Sequence, residues 1–300
     1  MKLVDYTFKV TSPKQTFSFF VLGDIHIGSP QCDENKFAVL CKHIKDSKNT
    51  YWWGGGDMTD AIVLKDSKRF DVNTLPDWMF TGSASDAKRR LGDILRAQRK
   101  RLNHYLLPIK DKCLGLIEGN HEYTIYKYHN TNHMQMICDS LETENLTDCA
   151  LLRMSFPLYS NNKRTRGNLV RGFITHGHGG GRTSGAEPNK LFNMMADKNV
   201  DFGMRGHSHT HHIHPPISVM DIPSQGMFVD GIPTTINKYA GNWGSFLHTY
   251  TEGAGNYASR SGYRAHSMYT VELRIQPHKY TGTTLSKRSR AHIEMLPYEL

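Results

Sequence analysis

A chain of 300 residues with a formal net charge of +9 can form one large domain with a sizeable core, and its charge favours polyanionic partners without requiring one. No run approaches the roughly 20 apolar residues of a membrane helix, and the opening MKLVDYTFKV lacks the apolar centre of a secretion signal, so neither insertion nor export is expected. Five scattered cysteines (Cys32, Cys41, Cys113, Cys138 and Cys149) exclude a disulfide framework or a zinc knuckle and point to a reducing, cytoplasmic setting.

Residues 17–22 (FSFFVL) read as a short apolar strand running into Gly23 and Asp24. Over 33–47 the spacing of Phe37, Leu40, Cys41 and Ile44 predicts a helix. Tyr51, Trp52 and Trp53 then lead into three glycines and Asp57. Residues 84–107 read as one long basic helix with Leu91, Ile94, Leu95, Leu102 and Leu106 on its apolar side, stopped by Pro108. A strand over 113–117 ends at Gly119-Asn120-His121-Glu122. Another over 169–175 ends at His176-Gly177-His178. A helix is predicted over 188–198, and a strand over 200–204 leads to Gly206-His207-Ser208-His209. Beyond that the chain turns β-rich, with alternation over 267–275, an extended Gly, Ser, Tyr and Asn-rich loop over 241–262, and a solvated basic tail over 286–290.

Alternating strands and helices predict an α/β layered fold, in which functional residues collect at the carboxyl ends of strands. Each polar cluster sits at such an end. Asp24 and His26, two apart on an extended segment, point the same way and can reach one ion, and His207 and His209 can flank a pair of ions. Asp57 has two carboxylate oxygens with which to bridge two ions, and Asn120 offers a neutral carbonyl oxygen. Mixed imidazole and carboxylate ligation suits Mn, Fe, Zn or Ni better than Ca or Mg. Two such ions, roughly 3.5–4 Å apart, clamp a phosphoryl group while a bridging water loses its proton and attacks phosphorus in line. No serine or cysteine nucleophile is then required. Taken singly, each cluster also reads as a turn or a cap, and other histidines, His133 and His278 among them, read as structural or surface residues. Five clusters in order at strand ends select the metal site.

Written as GDIH (23–26), GDMTD (56–60), GNHE (119–122), HGH (176–178) and GHSH (206–209), these blocks resemble the signature of the calcineurin-like metallophosphoesterase superfamily. The resemblance implies a four-layer α/β/β/α sandwich of two mixed sheets flanked by helices. A single domain over 1–300 is expected, with residues from about 210 to 300 completing the second sheet. It implies two divalent metal ions, Mn first, with Fe, Zn or Ni as alternatives. Asp24, His26 and His209 look like ligands of the first ion, Asp57 like the bridge, and Asn120, His176 and His207 like ligands of the second. His121 is similar to the family's catalytic histidine, which protonates the leaving oxygen or holds the phosphate. Asp60 resembles the acid that orients this histidine, since a carboxylate on one imidazole nitrogen fixes the tautomer and raises the pKa. Capping of a helix that begins there is the plainer role for Asp60. The family favours His176 over His178 as the ligand, leaving His178 near the substrate or behind the ligands.

The Ser/Thr protein phosphatase branch carries arginines where Ala61 and Glu118 stand here, and an acid at the latter position would repel a dianionic monoester. The chain is more similar to the nuclease and phosphodiesterase branches, including short phosphoesterases of phage and bacterial genomes. A phosphodiester substrate is therefore expected, in nucleic acid or a nucleotide. Lys88, Arg89, Arg90, Arg96, Arg99, Lys100 and Arg101 would track its backbone, and Tyr123, Tyr126 and Tyr128 would stack on bases. The alternative is a phosphomonoesterase in which Arg182 grips the terminal phosphate. A non-catalytic scaffold is disfavoured, because no ligand position is missing and His121 is present.

Overall fold

The computed structural model describes residues 1–63, 70, 75–179, 185–220, 228–229, 232–233, 235–250, 268–279 and 291–300. In chain order the elements are β1 (Lys2–Thr7), β2 (Phe17–Leu22), α1 (Glu34–Asp46), β3 (Thr50–Gly54), α2 (Ala84–Gly92), α3 (Ile94–Leu106), β4 (Cys113–Leu116), α4 (Asn120–His129), α5 (His133–Leu141), β5 (Cys149–Ser160) and β6 (Lys163–Thr175). There follow α6 (Ala186–Ala196), β7 (Phe202–Arg205), β8 (His211–Met220), the two-residue strands β9 (Phe228–Val229) and β10 (Ile232–Pro233), β11 (Thr235–Trp243), β12 (Tyr269–Gln276) and β13 (His292–Glu299).

Two mixed sheets result. One has the order β13-β12-β2-β3-β4, with β2, β3 and β4 parallel and β12 and β13 antiparallel. The other has the order β1-β5-β6-β7-β11-β8 and contains both kinds of pairing. Strand β2 is apolar on both faces, and the two-residue period sends its side chains to two different cores. Phe17, Phe19 and Val21 meet Phe8, Met154, Phe156 and Val271 between the sheets, whereas Phe20 and Leu22 meet Phe37, Leu40, Leu102, Leu106 and Ile137 of α1, α3 and α5. Helix α6 covers the far face of the six-stranded sheet, with Leu191 and Met195 on Phe173 and Ala240. Helix, sheet, sheet, helix is the four-layer arrangement expected. A fully buried ring such as Phe19 holds both sheets, and its truncation to alanine costs about 3–5 kcal/mol.

Three expectations need correction. The long basic helix is two helices, because Asp93 ends α2 and caps α3, its carboxylate accepting from Arg96 N at 3.0 Å. Residues from 210 onward do not complete one sheet alone: β8 and β11 extend the six-stranded sheet, and β12 and β13 extend the other. Residues 241–243, expected in a loop, are the end of β11. Residues 244–250 are irregular as expected, whereas 251–262 and the basic tail 286–290 lie outside the described residues. All five cysteines are free. No helix among the described residues is long and apolar enough to cross a membrane.

The topology gathers five strand ends. Parallel β2, β3 and β4 deliver Asp24, Asp57 and Asn120 to one edge, and parallel β6 and β7 deliver His176 and His207. Gly55 N bonds Leu22 O, and Gly206 N bonds His176 O, which ties neighbouring turns within each sheet.

Candidate metal centre

The chain does not run on extended past these strands; it turns. Asp24, His26, Asp57, His207 and His209 all have left-handed backbones, with φ of 49°, 54°, 49°, 72° and 59°. Such conformations in non-glycine residues persist only where the surroundings hold them, and they concentrate at working sites. Asp24 and His26 do converge, but through this turn and not through the alternation of a strand.

Three groups of candidate ligand atoms form: two face each other across Asp57, and a third joins His26 to Asp60 and His121. In the first, His26 Nε2 lies 3.2 Å from His209 Nε2, which lies 3.4 Å from Asp24 Oδ1. In the second, His176 Nε2 lies 3.3 Å from Asp57 Oδ2 and 3.1 Å from Asn120 Oδ1, and His207 Nδ1 lies 2.7 Å from the same amide oxygen. Asp57 Oδ2 is also 3.8 Å from His26 Nε2, so one oxygen stands between the groups. The other, Oδ1, accepts the His121 backbone N–H at 2.9 Å. Of the two oxygens, only Oδ2 faces both groups.

These donors fit a pair of cations. Asp24 Oδ1 is buried without a hydrogen-bond partner, a costly state for a polar atom. Two imidazole nitrogens 3.2 Å apart repel unless a proton or a cation lies between them. His176 Nδ1 faces the Gly55 carbonyl at 2.8 Å, so it carries the proton and leaves Nε2 for the site. Burial works against a charged His176, but Asp57 and Asp24 outweigh it and raise its pKa to about 10. Burial, then His176, lowers His207 to about 4. Protons and cations therefore compete for the same nitrogens.

His121 adjoins the two groups that face each other across Asp57, its ring centroid 4.6 Å from that of His26. Its Nδ1 bonds the Asp60 backbone carbonyl, so Nδ1 holds a proton and Nε2 is the atom left for chemistry. Burial lowers its pKa, yet Asp57, Asp60 and the Asp60 carbonyl raise it overall. The expected role of the Asp60 carboxylate is therefore corrected. The main chain of Asp60 orients His121, while its Oδ1 lies 3.6 Å from His26 Nδ1. No helix begins at Asp60 for it to cap.

Several supporting residues escaped the motif reading. Glu122, 0% exposed, accepts backbone N–H groups from Asp57 (2.9 Å), Met58 (2.8 Å), Thr59 (3.3 Å) and Gly119 (3.2 Å), stapling the turn of the bridge to the start of α4. Burial and Asp57 push its pKa up to about 7, against the opposing pull of His121, the Thr59 N–H and His176. His133, expected to be structural or at the surface, is buried with Nε2 3.1 Å from Thr59 Oγ1. Gln98 of α3 accepts from Ala61 N at 2.9 Å. Arg205, 4% exposed, pairs with Glu187 at 3.4 Å and donates to the His178 carbonyl, while Asn242 joins Glu187 to Ser208. A capping-box Glu in GNHE was a visible signal for Glu122. The others carry no local signal.

Among the substrate candidates, the His178 side chain is exposed and belongs to none of the three groups. Arg182 lies outside the described residues. The Glu118 carboxyl is pushed up from its ordinary pKa by burial and by Asp148. Several cations of the basic helices are occupied: Arg101 with Glu34 at 2.6 Å, Arg89 with Asp86 at 2.8 Å, and Arg90 with the Met79 and Thr81 carbonyls. Lys88, Arg96 and Lys100 remain exposed, as do Tyr123, Tyr126 and Tyr128 on α4.

No family model matches the chain, and no curated protein matches it. Among solved structures it is similar to a single mutant of Vps29 from Entamoeba histolytica (TM-score 0.34, 10% identity, 94% of this chain and 100% of that one). It is also similar to a conserved uncharacterized protein from Streptococcus pneumoniae, described as a predicted phosphoesterase (0.32, 11%, 87% and 83%). A third is the NAD nucleotidase of Haemophilus influenzae (0.39, 10%, 95%), of whose length the chain spans 50%.

Proposed function

We propose that the chain is a dinuclear metal-dependent phosphoesterase, of the calcineurin-like kind its motifs resemble, that hydrolyses phosphodiester bonds in nucleic acid or nucleotides. The observation that carries this reading is Asp57 Oδ2, 3.3 Å from His176 and 3.8 Å from His26, shared by two groups of ligand atoms. Asp24, His26, His209 and Asp57 would hold one divalent cation, and Asp57, Asn120, His176 and His207 the other. Four imidazoles with two carboxylates and one amide oxygen favour Mn, with Fe, Zn or Ni as alternatives, over Mg or Ca. When bound, the cations neutralise charge on a phosphoryl group and make water a usable nucleophile near neutral pH.

The chain's own residues supply the rest. His121, its Nδ1 proton kept by the Asp60 carbonyl, presents Nε2 to a leaving oxygen and can hold the proton that oxygen needs. His178, exposed two residues after His176, would meet substrate. A diester is favoured over a monoester because Ala61 and Glu118 offer no cation, and Arg205 is buried against Glu187.

Hydrolysis of bis-p-nitrophenyl phosphate and p-nitrophenyl phosphate, side by side in Mn²⁺ and after chelation, tests the proposal. A diester preference abolished by chelation is expected. A monoester preference would move the assignment to a phosphomonoesterase using Arg182, and turnover of neither would remove phosphoester hydrolysis.

A further inference from the structure

We propose that Trp243 is a positioning residue of the first metal subsite, fixing which oxygen of Asp24 faces the cation. The inference rests on the dinuclear reading above. The indole Nε1–H donates to Asp24 Oδ2 at 2.8 Å, and the backbone N–H of His207 donates to the same oxygen at 3.0 Å. Asp24 Oδ1 is left buried, without a hydrogen-bond partner, 3.4 Å from His209 Nε2. A carboxylate with two donors on one oxygen meets a cation through the other. Indole N–H only donates, and its bond to an ionised carboxylate is stronger than one to a neutral carboxyl group.

The indole reaches Asp24 because three motif blocks each leave room for it. A Cβ on Gly23 would lie 2.6 Å from Trp243 Nε1, one on Gly55 2.7 Å from Cζ2, and one on Gly206 2.3 Å from Cε2. Real Cβ atoms do not approach so closely. The glycines before Asp24 and His207, and the middle one of the three before Asp57, thus form a slot for a single ring 219 residues from Asp24. Fragments of three metal-binding turns share one wall, and that wall carries one hydrogen-bond donor.

Partners behind metal ligands commonly change affinity 10–100-fold when removed. Here the loss should fall on one site, because His176 is held by the Gly55 carbonyl and the bridge turn by Glu122. The test is a Mn²⁺ titration of the full chain by calorimetry, resolving two affinities. It would compare the native chain, Trp243→Phe, and a chain with benzothienylalanine at 243, in which sulfur replaces the N–H and the fused ring is kept. Expected is a loss of about 10–100-fold in one affinity for both variants, with the other unchanged. Unchanged affinities in the benzothienylalanine chain would show that the N–H is not used. Equal losses at both sites, with a lowered melting temperature, would show that the ring merely fills its slot. A native chain binding fewer than two Mn²⁺ would instead overturn the dinuclear reading itself.

Discussion

Around Asp24 the supporting groups come from far along the chain: Trp243 Nε1 on Oδ2, and Ser245 Oγ (3.0 Å) and Phe246 N (3.2 Å) on its carbonyl. Around Asp57 and His176 they come from the motif blocks and the helices just after them: the Gly55 carbonyl, Glu122 of α4, and His133 of α5 through Thr59. In the first set Trp243 acts on the carboxylate itself, and Ser245 and Phe246 act on the Asp24 backbone. The second acts mostly on backbone, fixing the shape of a turn. It follows that the two subsites should loosen under different substitutions, and should fail together only where they share an atom.

Asp57→Asn removes the shared carboxylate and gives the largest effect. Metal analysis of the purified variant should show at least one cation lost, and turnover should vanish; full metal content would mean that Asp57 is not a bridge. His121→Ala stands outside the two groups that face each other across Asp57. It should keep both cations while turnover falls roughly 10²–10⁴-fold, the range for a general acid–base group, and normal rates would remove it from the mechanism. Glu122→Gln should cost about 1–3 kcal/mol in denaturant unfolding, since buried N–H groups lose their acceptor. It should also weaken Mn²⁺ at the second site while sparing the first, the converse of the Trp243 variants.

His133 gives a pH test of the same turn. Burial, then Arg99, lowers its folded pKa from 6.5 to about 4. Between these values the unfolded chain binds more protons, so stability is full above pH 6.5 and falls as the pH drops toward 4, by on the order of 3 kcal/mol. In His133→Gln that stretch of the stability profile should flatten, and an unaltered slope would assign the proton elsewhere. The smallest effect is expected at the surface. Reversing Lys88, Arg96 and Lys100 to Glu should weaken polynucleotide binding and its salt dependence yet leave hydrolysis of a small diester intact. Equal loss of both would point to misfolding, and unchanged polynucleotide binding to a different nucleic-acid surface.

What the sequence made legible follows the same division. The ligand blocks stood out because Asp, Asn and His in pairs are unusual after apolar strands, and α1 and β2 because their periodicity is local. Strand β1 was not read, since it alternates exposed and half-buried residues and pairs with β5, nearly half the chain away. The break at Asp93 was missed because apolar positions on either side kept helical spacing across it. The Asp60 carboxylate was assigned to His121 by resemblance; the backbone reverses over 57–61, with positive φ at Asp57 and Ala61, and the Asp60 side chain faces His26 instead. Trp243 could not be found by spacing, because its partners are three glycines and a carboxylate in other blocks.

The placement of β2 also bears on how the chain is made. Its neighbours in the sheet are β3 and β12, paired through Phe20 with Glu272 and closed by Ser18 Oγ on Glu272 at 2.6 Å. During synthesis the FSFFVL strand therefore waits, one edge bare, until residues 269–276 leave the ribosome. Pairing over such separations is slow, and a bare apolar edge is what chaperones and aggregates seize. Ribosome-bound chains stopped before residue 269 should bind chaperone, and release of the finished chain should reverse this.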